Sequence, residues 1–158
     1  MLNVFVICTG NSCRSLLGEA LFNHLGKRRI QAFSAGSHPL GRLNAGAVAT
    51  LVRHEVSVEG YKSQSWNEFE HQPMDIVITV CDNAAGETCP VYLNKAARVH
   101  WGLVDPGHVE GTDEEKIAAF EKTYAILEQR INKMLVLPLE SMPLDDVVSE
   151  LKAMAEEG

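Results

Sequence analysis

Residues 2–25 read LNVFVICTGNSCRSLLGEALFNHL, and the fold turns on how this stretch divides. Leu2–Ile7 is a short, apolar, β-branched run of the kind that makes a buried strand. A polar, glycine-containing loop follows from Cys8 to Ser12. From Cys13 the pattern turns helical, with Leu17, Leu21 and Leu25 spaced by four. Strand, tight loop and helix start therefore open an α/β pattern.

Working outward, further strands are expected at 30–34, 76–80 (IVITV) and 97–101. Asn44 is placed to cap a helix carrying Val48, Leu51 and Val52 on its apolar side. Thr112 and Glu115 form a capping-box pattern. The helix after them puts Ile117, Phe120, Tyr124, Leu127, Ile131 and Met134 on one stripe, and Pro138 closes it. Pro143 opens a last helix with Leu144, Val147, Val148 and Leu151. Alternating strands and helices predict a three-layer α/β/α fold with a four-stranded parallel sheet, in one domain spanning 1–158. In such sheets ligands bind at the carboxyl ends of the strands. Cys8 follows the first strand and Cys81 the third, so both cysteines belong to that edge.

The chain has 158 residues, 46% of them hydrophobic, and a formal net charge of -7. That is enough to bury a core. The acidic balance argues against nucleic acid, which needs a strong positive field, but permits a small anion in a locally positive pocket. No run approaches a membrane span, and no signal peptide is expected ahead of the first motif. The expected setting is cytoplasmic, where four cysteines stay reduced and serve catalysis, metal binding or the core.

Within the loop each residue type has a task. Backbone N–H groups of Thr9, Gly10, Asn11, Ser12, Cys13, Arg14 and Ser15 can converge on an oxyanion, and the helix N-terminus adds positive potential. Arg14 can grip two oxygens at once. The same field favours the Cys8 thiolate, a nucleophile near neutral pH. Ser12 or Ser15 can donate to its sulfur, and Asn11 can brace the loop through its amide. Cys13 reads as a buried residue at the helix start. Asp105, followed by Pro106 after the fourth strand, can protonate a departing oxygen.

The pattern Cys-x5-Arg-Ser near the N-terminus resembles the low-molecular-weight tyrosine phosphatases. The fuller string CTGNSCRS, residues 8–15, resembles the arsenate reductases built on that fold. A phosphatase needs only the first cysteine, whereas a reductase must supply two electrons through a second thiol. The resemblance to thioredoxin-coupled arsenate reductases implies Cys8 as nucleophile, Cys81 as first resolving thiol and Cys89 as the second. The polar, glycine-containing stretch between the last two suits a segment that rearranges. Their separation is one residue longer than in the best-known Gram-positive members. Thioredoxin is the expected reductant, with glutaredoxin and glutathione as the alternative. Asp105 lies earlier than the acid of the phosphatases and no tyrosine flanks it, which favours the reductase.

The implied activity is reduction of arsenate to arsenite by a monomer, with residual phosphatase activity possible on the same loop. Hydrolysis of phosphate monoesters through a Cys8 phosphocysteine is the alternative function. A non-enzymatic anion-binding module is a third. No cofactor and no metal is expected. Asn11, Glu19 and Ser34 match positions that hold potassium in some relatives, but Gln64 stands where those carry an acid. A zinc site of Cys81, Cys89 and His100 lacks the paired spacing such sites use.

Overall fold

A computed structural model describes residues 1–81 and 90–157. Among them, four parallel strands form one sheet: β1 (Leu2–Ile7), β2 (Ile30–Ala35), β3 (Ile76–Thr79) and β4 (Ala97–His100). Their order is β2-β1-β3-β4. Val4 pairs with Ile76 on one side of β1, and Leu2 pairs with Ile30 on the other. The chain thus leaves β1 in one direction to reach β2 and returns to the other side for β3. That reversal opens a crevice beyond the carboxyl ends of β1 and β3. Cys8 and Cys81 stand at its two lips.

Four helices accompany the sheet among the described residues: α1 (Arg14–Gly26), α2 (Ala45–Arg53), α3 (Asp113–Val136) and α4 (Leu144–Glu157). Side chains alternate across β1, so Val6 and Phe5 point to opposite faces. On the Val6 face lies α1. A Cβ at Gly18 would sit 3.0 Å from Val6 Cγ1, so glycine sets how closely this helix approaches the sheet. On the Phe5 face a 3-10 turn, Trp66–Phe69, brings Phe69 to 5.1 Å from the Phe5 ring. A second 3-10 turn, Val91–Leu93, joins it through Tyr92 Oη, which donates to Trp66 O.

The expected caps form. Asn44 Oδ1 accepts from Ala47 N at 3.0 Å, and Thr112 Oγ1 accepts from Glu115 N at 3.2 Å while Glu115 reaches back. Each cap satisfies an N–H that the helix itself leaves unpaired. The apolar stripes are narrower than the periodicity suggests. Ile117 is 46% exposed at the first turn of α3, and Val52 and Leu144 also face outward. In α1 the opposite holds. Residues 15–22 are all buried, because the sheet, α2 and α3 enclose this helix on several sides. Trp101 is fully buried, stacks on Phe22 at 5.9 Å and donates Nε1–H to Leu151 O at 2.9 Å. That bond ties α4 to the core. No described helix is long and apolar enough to cross a membrane.

Candidate active site

The loop after β1 is built by pulling its carbonyls outward. Thr9 O accepts from His38 N, Gly10 O from Leu40 N, and Ser12 O from Asn44 N at 2.8–3.0 Å. Ser63 Oγ donates to Gly10 O as well. These bonds hold the carbonyls of Thr9, Gly10 and Ser12 to the flanking segments. Among the described residues, the N–H groups of Ser12, Cys13, Arg14 and Ser15 donate to no protein acceptor. That is a concave nest of donors at a helix N-terminus, suited to an anion.

Asn11 holds this curvature. Its φ is 43°, a left-handed conformation that asparagine tolerates better than most residues. The side chain has no free bonding capacity on its amide nitrogen: Nδ2 donates to Ser15 Oγ and to Ser34 Oγ, both at 2.9 Å. Oδ1 accepts from Gln64 N at 2.7 Å. Ser34 in turn donates to Glu19 Oε1 at 2.6 Å, and Gln64 Nε2 donates to Ser34 O. Glu19 is buried, and desolvation pushes its carboxyl up to about 7 despite the Ser34 bonds that pull it down. The Asn11, Glu19 and Ser34 grouping expected from the sequence is therefore real, but here these groups bond one another directly and Gln64 joins through its backbone and amide. The Ser15 hydroxyl belongs to this network, where it accepts from Asn11.

On the other side of the loop stand Arg14, Asp105 and Cys81. Arg14 Nη1 donates to Leu103 O at 2.9 Å. Its Nη2 lies 3.6 Å from Asp105 Oδ2. Nε is buried and has no partner among the described residues. The Nε–Nη2 edge is the one that a tetrahedral anion uses for a two-pronged contact. Asp105 accepts from Gly107 N at 2.9 Å, a local bond that caps the turn Pro106–His108 and turns the other oxygen toward Arg14. Cys13 sits nearby and stays a thiol. Burial pushes it up to about 12, and the Asp105 charge adds to that against the pull of Arg14 and the Gly107 N–H.

Cys81 is buried at the end of β3, and its sulfur faces the loop. Thr9 N–H donates to Cys81 Sγ at 3.5 Å, and Thr9 Oγ1 lies 3.8 Å from the same atom. The Cys81 thiol also acts on the neighbouring Cys8 thiol. That sulfur first, and burial second, push the Cys8 thiol well above the usual range, while Arg14 and the Gly10 N–H pull it down. Opposing influences therefore meet at the Cys8 thiol. The loop supplies the stabilising donors, but the neighbouring sulfur competes for the proton. Cys89 lies outside the described residues. His100 turns to Thr79, with Nδ1 2.8 Å from Thr79 Oγ1. No described group of three His, Cys, Asp or Glu residues is placed to hold a metal.

Several residues of the site were silent in the sequence. Gly36 is one: a Cβ there would lie 2.3 Å from Thr9 O and 2.5 Å from Cys8 O, so only glycine lets the end of β2 pass under the loop. Ser63 is another. Its only sequence signal is a polar run, which reads as an ordinary turn.

Fold and loop together define a Cys-x5-Arg oxyanion-loop protein on a parallel α/β scaffold. The family model "Low molecular weight phosphotyrosine protein phosphatase" matches residues 3–149, and the chain belongs to that family. It is 34% identical over 128 residues to an arsenate reductase of Halalkalibacterium halodurans, covering 81% of this chain and 91% of that one. Its fold is similar to an arsenate reductase from Archaeoglobus fulgidus, with TM-score 0.69, 25% identity, and 85% and 99% of the two chains covered. It is also similar in fold to a thioredoxin-dependent arsenate reductase from Corynebacterium glutamicum, with TM-score 0.66 and 21% identity, over 86% of this chain and 61% of that one.

Proposed function

We propose that this protein reduces arsenate to arsenite as a cytoplasmic, single-domain monomer. The observation that carries the reading is the Cys81 sulfur seated against the oxyanion loop, where it accepts from Thr9 N–H and acts on the Cys8 thiol. Ester hydrolysis has no use for a second thiol at that place. Electron transfer requires one.

The reaction proceeds as follows. Arsenate enters the nest of N–H groups and is gripped by the Nε–Nη2 edge of Arg14. The Cys8 proton leaves, and the thiolate attacks arsenic(V). Asp105 protonates the departing oxygen, which leaves as water. The Cys81 thiolate then attacks Cys8 Sγ. The sulfur–arsenic bond breaks and its electron pair stays on arsenic, which departs as arsenite. A Cys8–Cys81 disulfide remains, oxidised by two electrons. Cys89 attacks Cys81, restoring Cys8 and leaving a Cys81–Cys89 disulfide. A dithiol protein reduces it. Thioredoxin is the assigned partner, in keeping with the Corynebacterium relative, and glutaredoxin with glutathione is the alternative.

A second reading has its own support. The loop, Arg14 and Asp105 are complete for hydrolysis of a phosphate monoester without Cys81, and the family model is a phosphatase. One variant separates the two. Cys81→Ser should abolish arsenate turnover in a thioredoxin-coupled assay while sparing hydrolysis of an aryl phosphate. Retained arsenate turnover would refute the relay and leave the phosphatase reading.

A further inference from the structure

Away from the oxyanion loop, one cleft contains a buried cation with no counter-charge among the described residues. It has a volume of about 500 Å³ and lies between the segment that carries Asp105 and the middle of α3. Leu103, Val104 and Pro106 line one wall, and Ala119, Ile126 and Arg130 line the other. Arg130 is only 7% exposed. Its guanidinium stands 5.7 Å over the Trp101 ring, which stabilises the flat face of the cation. The ring offers nothing to the N–H groups in the guanidinium plane. Nη1 is fully buried without a hydrogen-bond partner, and Arg130 makes no ion pair among the described residues. Buried guanidinium groups are otherwise paired, because the desolvated charge is costly alone.

We infer that this cleft binds a small organic carboxylate, with the carboxylate on Arg130 and an apolar body against Leu103, Pro106 and Ile126. The walls select this class over a free inorganic anion. They are mostly aliphatic, and although Lys122 also lines the cleft beside Arg130, a hydrated dianion would give up its water against a largely apolar wall. Val104, 82% exposed although apolar, stands at the mouth where such a body would cover it. The site is distinct from the oxyanion loop but shares a wall with it. Leu103 lines the cleft, and its carbonyl holds Arg14 at 2.9 Å. Occupancy therefore bears on the segment that presents Asp105.

The test uses the reduced full-length protein and benzoate, followed by calorimetry and by saturation-transfer NMR on the ligand. Benzoate should bind one to one. Benzamide, its neutral isostere, and the Arg130→Gln variant should each weaken binding by about tenfold or more, the usual cost of losing a charge-assisted pair. Ala119→Phe, which fills the cleft and leaves Arg130 in place, should abolish binding, and it decides the matter if Arg130→Gln does not fold. Saturating inorganic phosphate should not compete benzoate off the protein. Displacement of benzoate by phosphate would locate it in the Cys8 loop and overturn the assignment. So would affinity indifferent to Ala119→Phe, or no binding at tens of millimolar.

Discussion

The two flanks of the oxyanion loop are built differently. On the Asn11 flank, five side-chain bonds of 2.6–3.1 Å link Asn11, Ser15, Glu19, Ser34 and Gln64. Asn11, Ser15, Glu19 and Ser34 are buried there. On the Cys81 flank the contacts are longer. Thr9 meets Cys81 at 3.5 and 3.8 Å, and Arg14 meets Asp105 at 3.6 Å. The first flank only has to hold a curvature. The second must release its contacts to an incoming anion and then exchange sulfur partners. Short saturated bonds suit a fixed frame, and long contacts to polarizable sulfur suit groups that change partners.

Substitutions can break this contrast. The largest effect belongs to Cys8→Ser on the reactive flank. It should lower arsenate turnover by about 10⁴-fold or more, as loss of a nucleophile does, with little change in the urea midpoint. Asp105→Asn should come next, lowering kcat by about 10²-fold or more through loss of the acid, again at nearly constant stability. Steady-state kinetics and urea melts on the same preparations check both. If either variant unfolds readily, the reactive flank is structural after all.

On the frame, the order of effects reverses. Asn11→Ala strands the partners Ser34, Ser15 and Gln64 N and puts alanine at φ 43°. It should cost about 3 kcal/mol of stability, from unsatisfied buried groups and backbone strain together. Urea unfolding measures that directly, and a loss under about 1 kcal/mol would show that the network is not what holds the loop. Glu19 gives the subtlest effect. Its carboxyl is raised to about 7 in the folded chain from the ordinary 4.5. The folded state therefore holds a proton that the unfolded state has released. The group's contribution to stability is present below about 4.5 and is lost as pH rises toward about 7, after which the penalty is constant. Over that window it amounts to about 3 kcal/mol at most. Glu19→Gln, which still accepts from Ser34, should flatten this part of the stability profile. An unchanged slope would place the titration elsewhere.

The contrast also explains what the sequence could say. Strands β1, β2 and β3, the loop at 8–15, the Thr112–Glu115 cap and the Asp-Pro turn each have a local signature, and each stands within a residue or so of its expected place. Local patterns also bring Arg14 and Asp105 to one edge, since both follow strands. The frame was far less legible. Segments 36–44 and 63–65 hold the loop carbonyls through contacts distant in sequence, and glycine or serine in a polar run carries no such signal. The influences on the Cys8 proton were only partly legible for the same reason. Its own loop favours the thiolate, but the sulfur that opposes it arrives from the end of β3. Ile117 and Val52 fit helical stripes and yet face outward, because a stripe fixes a direction along the helix and not how far its neighbours extend.

The relay itself is tested most directly by trapping its first disulfide. Cys89→Ser protein, reduced and then mixed with arsenate without added thiols, should release one arsenite per chain. Peptide mapping should then recover a Cys8–Cys81 linked pair. Arsenite release with Cys8 and Cys81 both still open to alkylation would contradict the account.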